Sequence, residues 1–383
     1  MNFVFRKQTS MRLGFLAGAD PEDFSNWSGT PSFAFRALKA RSKVLPVRWA
    51  AGEILMRSMR RAFRPFHMDG GREFIVGKAF RWKLRKQLSE LKPDILIAMA
   101  NSSEACQIAA ETPVVHCADS TFRAMLDYYP GYFSNLSKRA IRIGDAVERM
   151  MIERARILLY SSEWAADSAI KDYSADPKKL FIVPFGANLV DYPATDPFNC
   201  DSDFSVCRLL FVGVDWARKG GDVALNVLKE LLRRGVNAEL HVVGCQPPDY
   251  VDIPAVKRHG FLRKDNANNR QRLTTLFSKA AFLLVPSQQE AYGIVFCEAS
   301  AYGLPSLGTR TGGIPTIVKD GVNGFTFDLN ANPGEYAKKI DEYWNDHDKY
   351  AALRRSTKQR SQTCLTWDSW GNKVIEILNN HLY

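Results

Sequence analysis

VPSQQEAYGIVFCEASAYGLPSLGTRTGGIPTIVKDGVNGFTF, Val285–Phe327, is the stretch whose reading decides the fold. The apolar run 280–286 ends at Pro286-Ser287, as a buried strand does on leaving its sheet. A loop follows, Gln288 to Tyr292. Gly293 then precedes Ile294 to Tyr302, whose apolar residues fall at helical spacing and stop at Gly303 and Pro305. The unit is strand, loop, helix, strand. Glu290 sits in the loop beyond the strand's carboxyl end, and Glu298 about one turn into the helix, with seven residues between them. A helix N-terminus offers unpaired N–H groups and a partial positive charge that suit a phosphate, while carboxylates accept paired hydrogen bonds from neighbouring hydroxyls. The spacing therefore suits a sugar, a phosphate and a ribose in a row, although two solvated acids on a surface helix would show it too.

Pro286-Ser287, Glu290, Gly293, Glu298-Ala299, Gly303-Leu304-Pro305 and Gly312-Gly313 together resemble the donor-site signature of the retaining family 4 glycosyltransferases (glycosyl transferases group 1), which have the two-domain GT-B fold. The resemblance implies that Glu290 holds donor-sugar hydroxyls and Glu298 the ribose hydroxyls, with the Gly293 and Ile294 amides on the diphosphate and Tyr292 beside them. It also implies an α/β architecture of two doubly wound Rossmann-like domains facing a central cleft, with a C-terminal helix crossing back.

Composition is compatible with this. At 383 residues the chain has room for two domains. No apolar run approaches the roughly 20 residues that span a bilayer, and the first residues lack a signal-peptide cleavage pattern. The seven cysteines are odd in number and never in CxxC spacing, which argues against a disulfide framework or zinc site and for a reducing cytosol. Charge is uneven: residues 1–190 hold 29 Lys+Arg against 19 Asp+Glu, and residues 31–92 alone hold 16 against four, an excess of twelve. An anionic membrane surface, an anionic acceptor and nucleic acid are the partner classes such an excess admits. No nucleic-acid-binding motif accompanies it, so nucleic acid is not expected. The expected location is cytoplasmic, peripheral at the inner face of a membrane if the basic segment binds lipid.

From the N-terminus, Arg12 to Ala17 reads as a strand, and Ser28-Gly29-Thr30-Pro31 as a helix start with Thr30 as N-cap. By the resemblance, Ser28, Gly29 and Thr30 match a glycine loop that approaches the donor phosphates. Residues 40–66 and 80–91 read as basic amphipathic helices. Strands are expected at 95–98, 113–116, 156–160 and 180–184, and again at 208–212, 239–243 and 259–261. Helices alternate with them, implying parallel sheets with ligands at the strand carboxyl ends. The expected division is an acceptor-side domain 1–190, a linker 191–206, a nucleotide-sugar domain 207–365 and a terminal helix 366–383, marked by Trp367 and Trp370, packing back on the first domain.

Three other motifs fail on their own chemistry. Asp201-Ser202-Asp203 imitates a metal-binding DxD but lies in the expected linker. Gly71, Gly77 and Lys78 resemble a phosphate loop one residue too long, with Ala79 where a magnesium-binding hydroxyl belongs. The six histidines show no paired ligand spacing.

Arg218-Lys219-Gly220, after a strand and before a helix, stands where a cationic pair neutralises a diphosphate leaving group. Family members usually carry an Arg directly after the strand glycine, where this chain has Val214. Asp119 stands where many have a histidine, and could meet a sugar hydroxyl, orient the acceptor or cap a helix. The resemblance implies transfer of a sugar from a UDP- or GDP-linked donor to a hydroxyl of a saccharide or lipid-linked acceptor. Neither cofactor nor metal is expected. The departures at Val214 and Asp119 leave an alternative, an inactive nucleotide-sugar-binding or membrane-associated scaffold.

Overall fold

The computed structural model describes residues 11–18, 20–24, 26–129, 133–193, 205–249, 251 and 253–382. The tested DxD segment and most of the expected linker lie outside them. The chain forms two compact units. Unit 1 comprises residues 1–161, 165–183 and 371–383, and unit 2 residues 162–164 and 184–370.

In unit 1 the chain runs through β1 (Arg12–Ala17), α1 (Thr30–Lys39), β2 (Lys43–Val47), α2 (Ala50–Phe63), α3 (Phe74–Leu91), β3 (Ile95–Met99), α4 (Ser102–Ile108) and β4 (Val114–Ala118). It continues through α5 (Phe122–Met125), α6 (Lys138–Arg154), β5 (Ile157–Tyr160), α7 (Glu163–Tyr173), whose first two residues are counted in unit 2, and β6 (Leu180–Ile182). The strands form one parallel sheet in the order β2-β1-β3-β4-β5-β6. Strands β3, β4 and β5 are buried along their whole length, as apolar runs covered by helices on both faces must be.

The helix expected over 40–66 is a correction: its first part is the edge strand β2, KVLPV, of which Val44 and Val47 are buried. Pro46 cannot donate to a ladder, so it is tolerated only at such an edge. The turn between α2 and α3 is held by buried charge. Asp69 lies 3.1 Å from Arg72 and 3.7 Å from Arg60, and Arg72 lies 3.7 Å from Glu148 on α6. His116 on β4 approaches Glu148 at the same distance, 3.7 Å.

Unit 2 contains β7 (Cys207–Gly213), α8 (Gly221–Arg233), β8 (Ala238–Gly244), β9 (Val256–Gly260), α9 (Ala267–Lys279), β10 (Phe282–Val285), α10 (Ile294–Ala301), β11 (Ser306–Thr309), α11 (Ile314–Ile317), β12 (Gly324–Phe327), α12 (Pro333–Trp344), α13 (His347–Cys364) and the start of α14 (Trp367–His381). Its parallel sheet has the order β12-β11-β10-β7-β8-β9. Its main segment begins at Pro184, before the expected division at 190. The 185–188 segment packs on the start of α14: Ala187 donates to the Leu365 carbonyl at 3.0 Å, and the Trp367 indole to Asn188 Oδ1 at 2.9 Å. From Gly371 onward α14 belongs to unit 1, where Arg41 Nε meets Asn372 Oδ1 at 2.6 Å.

On β8 and β9 the rings of His241 and His259 stack, 5.2 Å between centroids, with Nδ1 and Nε2 3.0 Å apart and Glu239 on the far nitrogen of His241. Burial lowers the pKa of both, and the charge His241 can carry lowers that of His259 further. The charged groups around the pair are Glu239, Arg208, Lys257 and Arg272. An unfolded chain takes up these protons near pH 6.5 while the folded chain refuses them, so their contribution to stability is complete above that pH and is lost as pH falls through it. Thermal melts are therefore expected to fall between pH 7.5 and pH 5.5. His259→Asn should flatten that dependence; an unchanged slope would show that the pair is not its source.

Candidate active site

In unit 2, β7 pairs with β8 on one side and β10 on the other, so the sheet order turns between β7 and β10. Ligands of open α/β sheets bind outside the strand carboxyl ends at such a switch point. The loops that leave these two strands, 214–220 and 286–293, carry the predicted residues. They are tied together: Gln288 N–H donates to the Arg218 carbonyl at 2.7 Å, and the Arg218 guanidinium to the Gln289 carbonyl at 3.2 Å. Gly220, at φ +75°, lies so close to the second loop that a Cβ would stand 2.0 Å from the Pro286 carbonyl oxygen.

This close approach puts Lys219 Nζ in a direct ion pair with Glu290 Oε2. The two residues are 8 % and 7 % exposed. Ser287 Oγ donates to the same carboxylate oxygen at 3.4 Å. The Lys219 stem crosses Gly213, where a Cβ would fall 2.6 Å from Lys219 Cγ, so this glycine is needed for room. A buried cation and anion that neutralise each other are stable only together, and removing one partner leaves an uncompensated charge. Such a pair is poised to exchange partners when an anionic ligand arrives.

Beside the pair, Gly293 caps α10 at φ +97° with no side-chain cap, leaving the first-turn amides to main-chain or ligand acceptors. Glu298 on α10 is 3 % exposed and is ion-paired with Lys264, from the loop between β9 and α9. Sequence reasoning did not single out Lys264; its one signal was a position just past a strand end. The Tyr292 side chain turns inward. Its hydroxyl donates to the Phe185 carbonyl at 2.8 Å and its ring packs edge-on to Phe185 at 5.2 Å, so the side chain belongs to the interior of unit 2.

In unit 1 the order turns between β1 and β3, and the loop after β1 carries Ser28, Gly29 and Thr30. Trp27, Ser28 and Gly29 are all left-handed, with φ of 46°, 55° and 86°. Non-glycine residues take that conformation only at a cost of about 1–2 kcal/mol each, and such strain concentrates at functional sites. The N-cap of α1 is Gly29, and Thr30 is the first helical residue, correcting the expectation that Thr30 caps. Asp119 follows β4 directly. Thr121, whose Oγ1 accepts from Ala124 N–H at 3.1 Å, caps α5, so the helix-cap reading of Asp119 is removed. Asn101, just past β3, is buried with its Nδ2 unpartnered among the described residues, and was not anticipated from sequence.

The cavity of about 710 Å³ in unit 1 is elsewhere, at the amino ends of β4, β5 and β6. Two of its cations are already engaged: Lys179 donates to the carbonyls of Ile152, Glu153 and Ala155, and Arg154 to that of Cys106. Among the described residues no group of three or more His, Cys, Asp or Glu side chains could hold a metal ion.

A two-unit Rossmann-like protein with a charged pair and a helix N-terminus at a sheet switch point is the class these observations define. Comparison with known proteins narrows it. Residues 207–360 match the model of the glycosyl transferases group 1 and residues 37–190 that of glycosyltransferase family 4. The chain belongs to the family 4 glycosyltransferases, and its fold is GT-B. Curated relatives include D-inositol 3-phosphate glycosyltransferases from Corynebacterium kroppenstedtii, 23% identical over 60% of this chain and 54% of the relative, and Nocardia farcinica, 29% identical over 46% and 42%. The chain thus spans about half the length of the curated relatives it matches. Similar solved structures include a sucrose-phosphate synthase from Thermosynechococcus elongatus (TM-score 0.71, 15% identity, 97% of this chain and 98% of that one) and Anabaena HepE in complex with UDP and glucose (TM-score 0.62, 16% identity, 97% and 100%).

Proposed function

We propose that this chain transfers a hexosyl group, with retention of anomeric configuration and without a metal ion, from a UDP- or GDP-linked donor to a hydroxyl of a saccharide or lipid-linked acceptor. The observation that carries the proposal is the buried Lys219–Glu290 pair at the switch point of unit 2, beside the uncapped N-terminus of α10. As the donor arrives, Lys219 turns its charge to the diphosphate and Glu290 is released to accept hydrogen bonds from sugar hydroxyls. Glu298 accepts from the ribose hydroxyls, and the Gly293 and Ile294 amides meet the diphosphate.

The acceptor oxygen bonds to the anomeric carbon on the face from which the diphosphate departs. Its proton passes to a donor phosphate oxygen, so no protein nucleophile is needed. Negative charge growing on the leaving group is met by Lys219, Arg218 and the α10 amides, preorganised charge that does the work of a metal. For unit 1 the proposal assigns Ser28, Gly29 and Thr30 to the donor phosphates and Asp119 to a sugar or acceptor hydroxyl.

Thermal-shift screening of UDP-, GDP- and ADP-sugars selects the donor, since a bound ligand raises apparent stability by mass action. With that donor and a panel of hydroxyl acceptors, acceptor-dependent release of nucleoside diphosphate should persist in excess EDTA, and NMR of the product should show the donor's anomeric configuration. An inverted product, or activity lost to EDTA and restored by manganese, would overturn the proposed chemistry.

A further inference from the structure

Among the described residues the three most exposed large apolar side chains are Trp82, Ile75 and Phe66, at 77 %, 71 % and 69 %; Ile54 follows at 66 %, level with Val214 of unit 2. Trp82, Ile75, Phe66 and Ile54 all fall within residues 54–82 of unit 1, inside the segment with twelve excess positive charges. Helical spacing sets Ile75 and Trp82 seven residues apart on one stripe of α3, with Lys78, Arg85 and Lys86 along it. On α2, Ile54, Leu55, Ser58 and Arg61 share the exposed face in the same way. Helix α2 turns its other side inward: at Gly52 a Cβ would stand 2.2 Å from the Trp49 ring and 2.7 Å from that of Phe80 on α3. The hairpin is thus packed on its own partners, and the apolar residues it leaves outside are not waiting for this chain's core.

Charge identifies what covers them. Among the described residues Arg57, Arg61, Arg64, Lys78, Lys83 and Lys86 have no carboxylate within ion-pair distance, whereas Arg81 and Arg85 both reach Glu111. Scattered exposed apolar residues are ordinary on a protein surface; three large ones on two helices, with Phe66 in the turn after α2, all interleaved with unpaired cations, are the composition of an interfacial element. Tryptophan in particular settles at the headgroup level.

We propose that α2, α3 and the turn that follows α2 dock this chain on an anionic lipid bilayer, inserting Ile54, Phe66, Ile75 and Trp82 among the headgroups while the basic residues meet the phosphates. The inference stands independently of the proposed transfer reaction. If both hold, the acceptor is lipid-linked and met at the surface.

The test is flotation of the full chain with vesicles of phosphatidylcholine alone or mixed with phosphatidylglycerol. Wild type should float only with the anionic vesicles, and less as salt shortens the screening length. Removing one of the unpaired cations should weaken binding about fivefold, the equivalent of about 1 kcal/mol per basic residue near an anionic leaflet. Ile75→Ser with Trp82→Ser should abolish flotation while the thermal melt stays unchanged, because both side chains are already in water. Failure of wild type to float, equal flotation with neutral vesicles, or full flotation of the double variant would each overturn the proposal. So would a sedimenting dimer that the double variant dissociates, since the face would then be covered by a second copy.

Discussion

Lys219→Ala is expected to lower turnover by about 100-fold or more, the scale lost when one preorganised electrostatic donor is removed from a transition state. In the resting chain Lys219 neutralises Glu290, so its charge contributes nothing to a donor until the pair opens. The charge is used most when the diphosphate departs, and the loss should therefore fall on kcat more than on KM. An effect confined to KM would mean that Lys219 binds donor and transition state alike. The structure adds a second consequence: the variant leaves Glu290 buried without its cation, which costs on the order of 3–5 kcal/mol and should lower the melting temperature. Measuring both separates the roles, because saturating donor restores stability by mass action but cannot restore turnover. Arg218→Ala should lose less on both counts, since its guanidinium is already spent on the Gln289 carbonyl.

What sequence reveals here follows from how local each determinant is. The helix α10 was legible because a strand end, a glycine at positive φ and a Gly-Leu-Pro stop lie within about twenty residues of one another. Lys219 was legible because its loop lies between a strand and a helix that both show their own periodicity. Its pairing with Glu290, 71 residues away, was not, because that depends on β7 and β10 becoming neighbours in the sheet. The same holds for Lys264 and Glu298, 34 residues apart.

Two misreadings have equally local causes. Strand β2 was hidden because its five residues include Pro46 and are flanked by basic helices, so the segment averaged to an amphipathic helix. Thr30 before Pro31 has the residue types of an N-cap, but the left-handed run through Gly29 moves the helix start one residue earlier.

Glu290→Gln and Glu298→Ala should fail in opposite ways, and the contrast tests the order in which the site holds its ligand. Glutamine keeps the shape of Glu290 but not its charge, so it still accepts one hydrogen bond from a sugar hydroxyl while leaving Lys219 without its resting partner. Donor affinity should change little, and turnover should fall on the order of 100-fold as the sugar loses the charged acceptor that holds it in line. Glu298 is a buried acceptor, which the proposal assigns to the ribose hydroxyls, remote from the bond that breaks. Truncating it removes charge-assisted hydrogen bonds worth roughly 1.5–3 kcal/mol, so KM for the donor should rise by about 10- to 100-fold with kcat nearly intact. A 2′-deoxy donor supplies the complementary deletion. If Glu298 accepts from the 2′-hydroxyl, wild type should lose affinity for that donor and Glu298→Ala should lose no more. Wild-type kinetics in Glu290→Gln would remove Glu290 from the sugar, and additive losses for the deoxy donor in Glu298→Ala would place the ribose elsewhere. The second result would also leave the Lys264–Glu298 ion pair as a tie that holds the loop after β9.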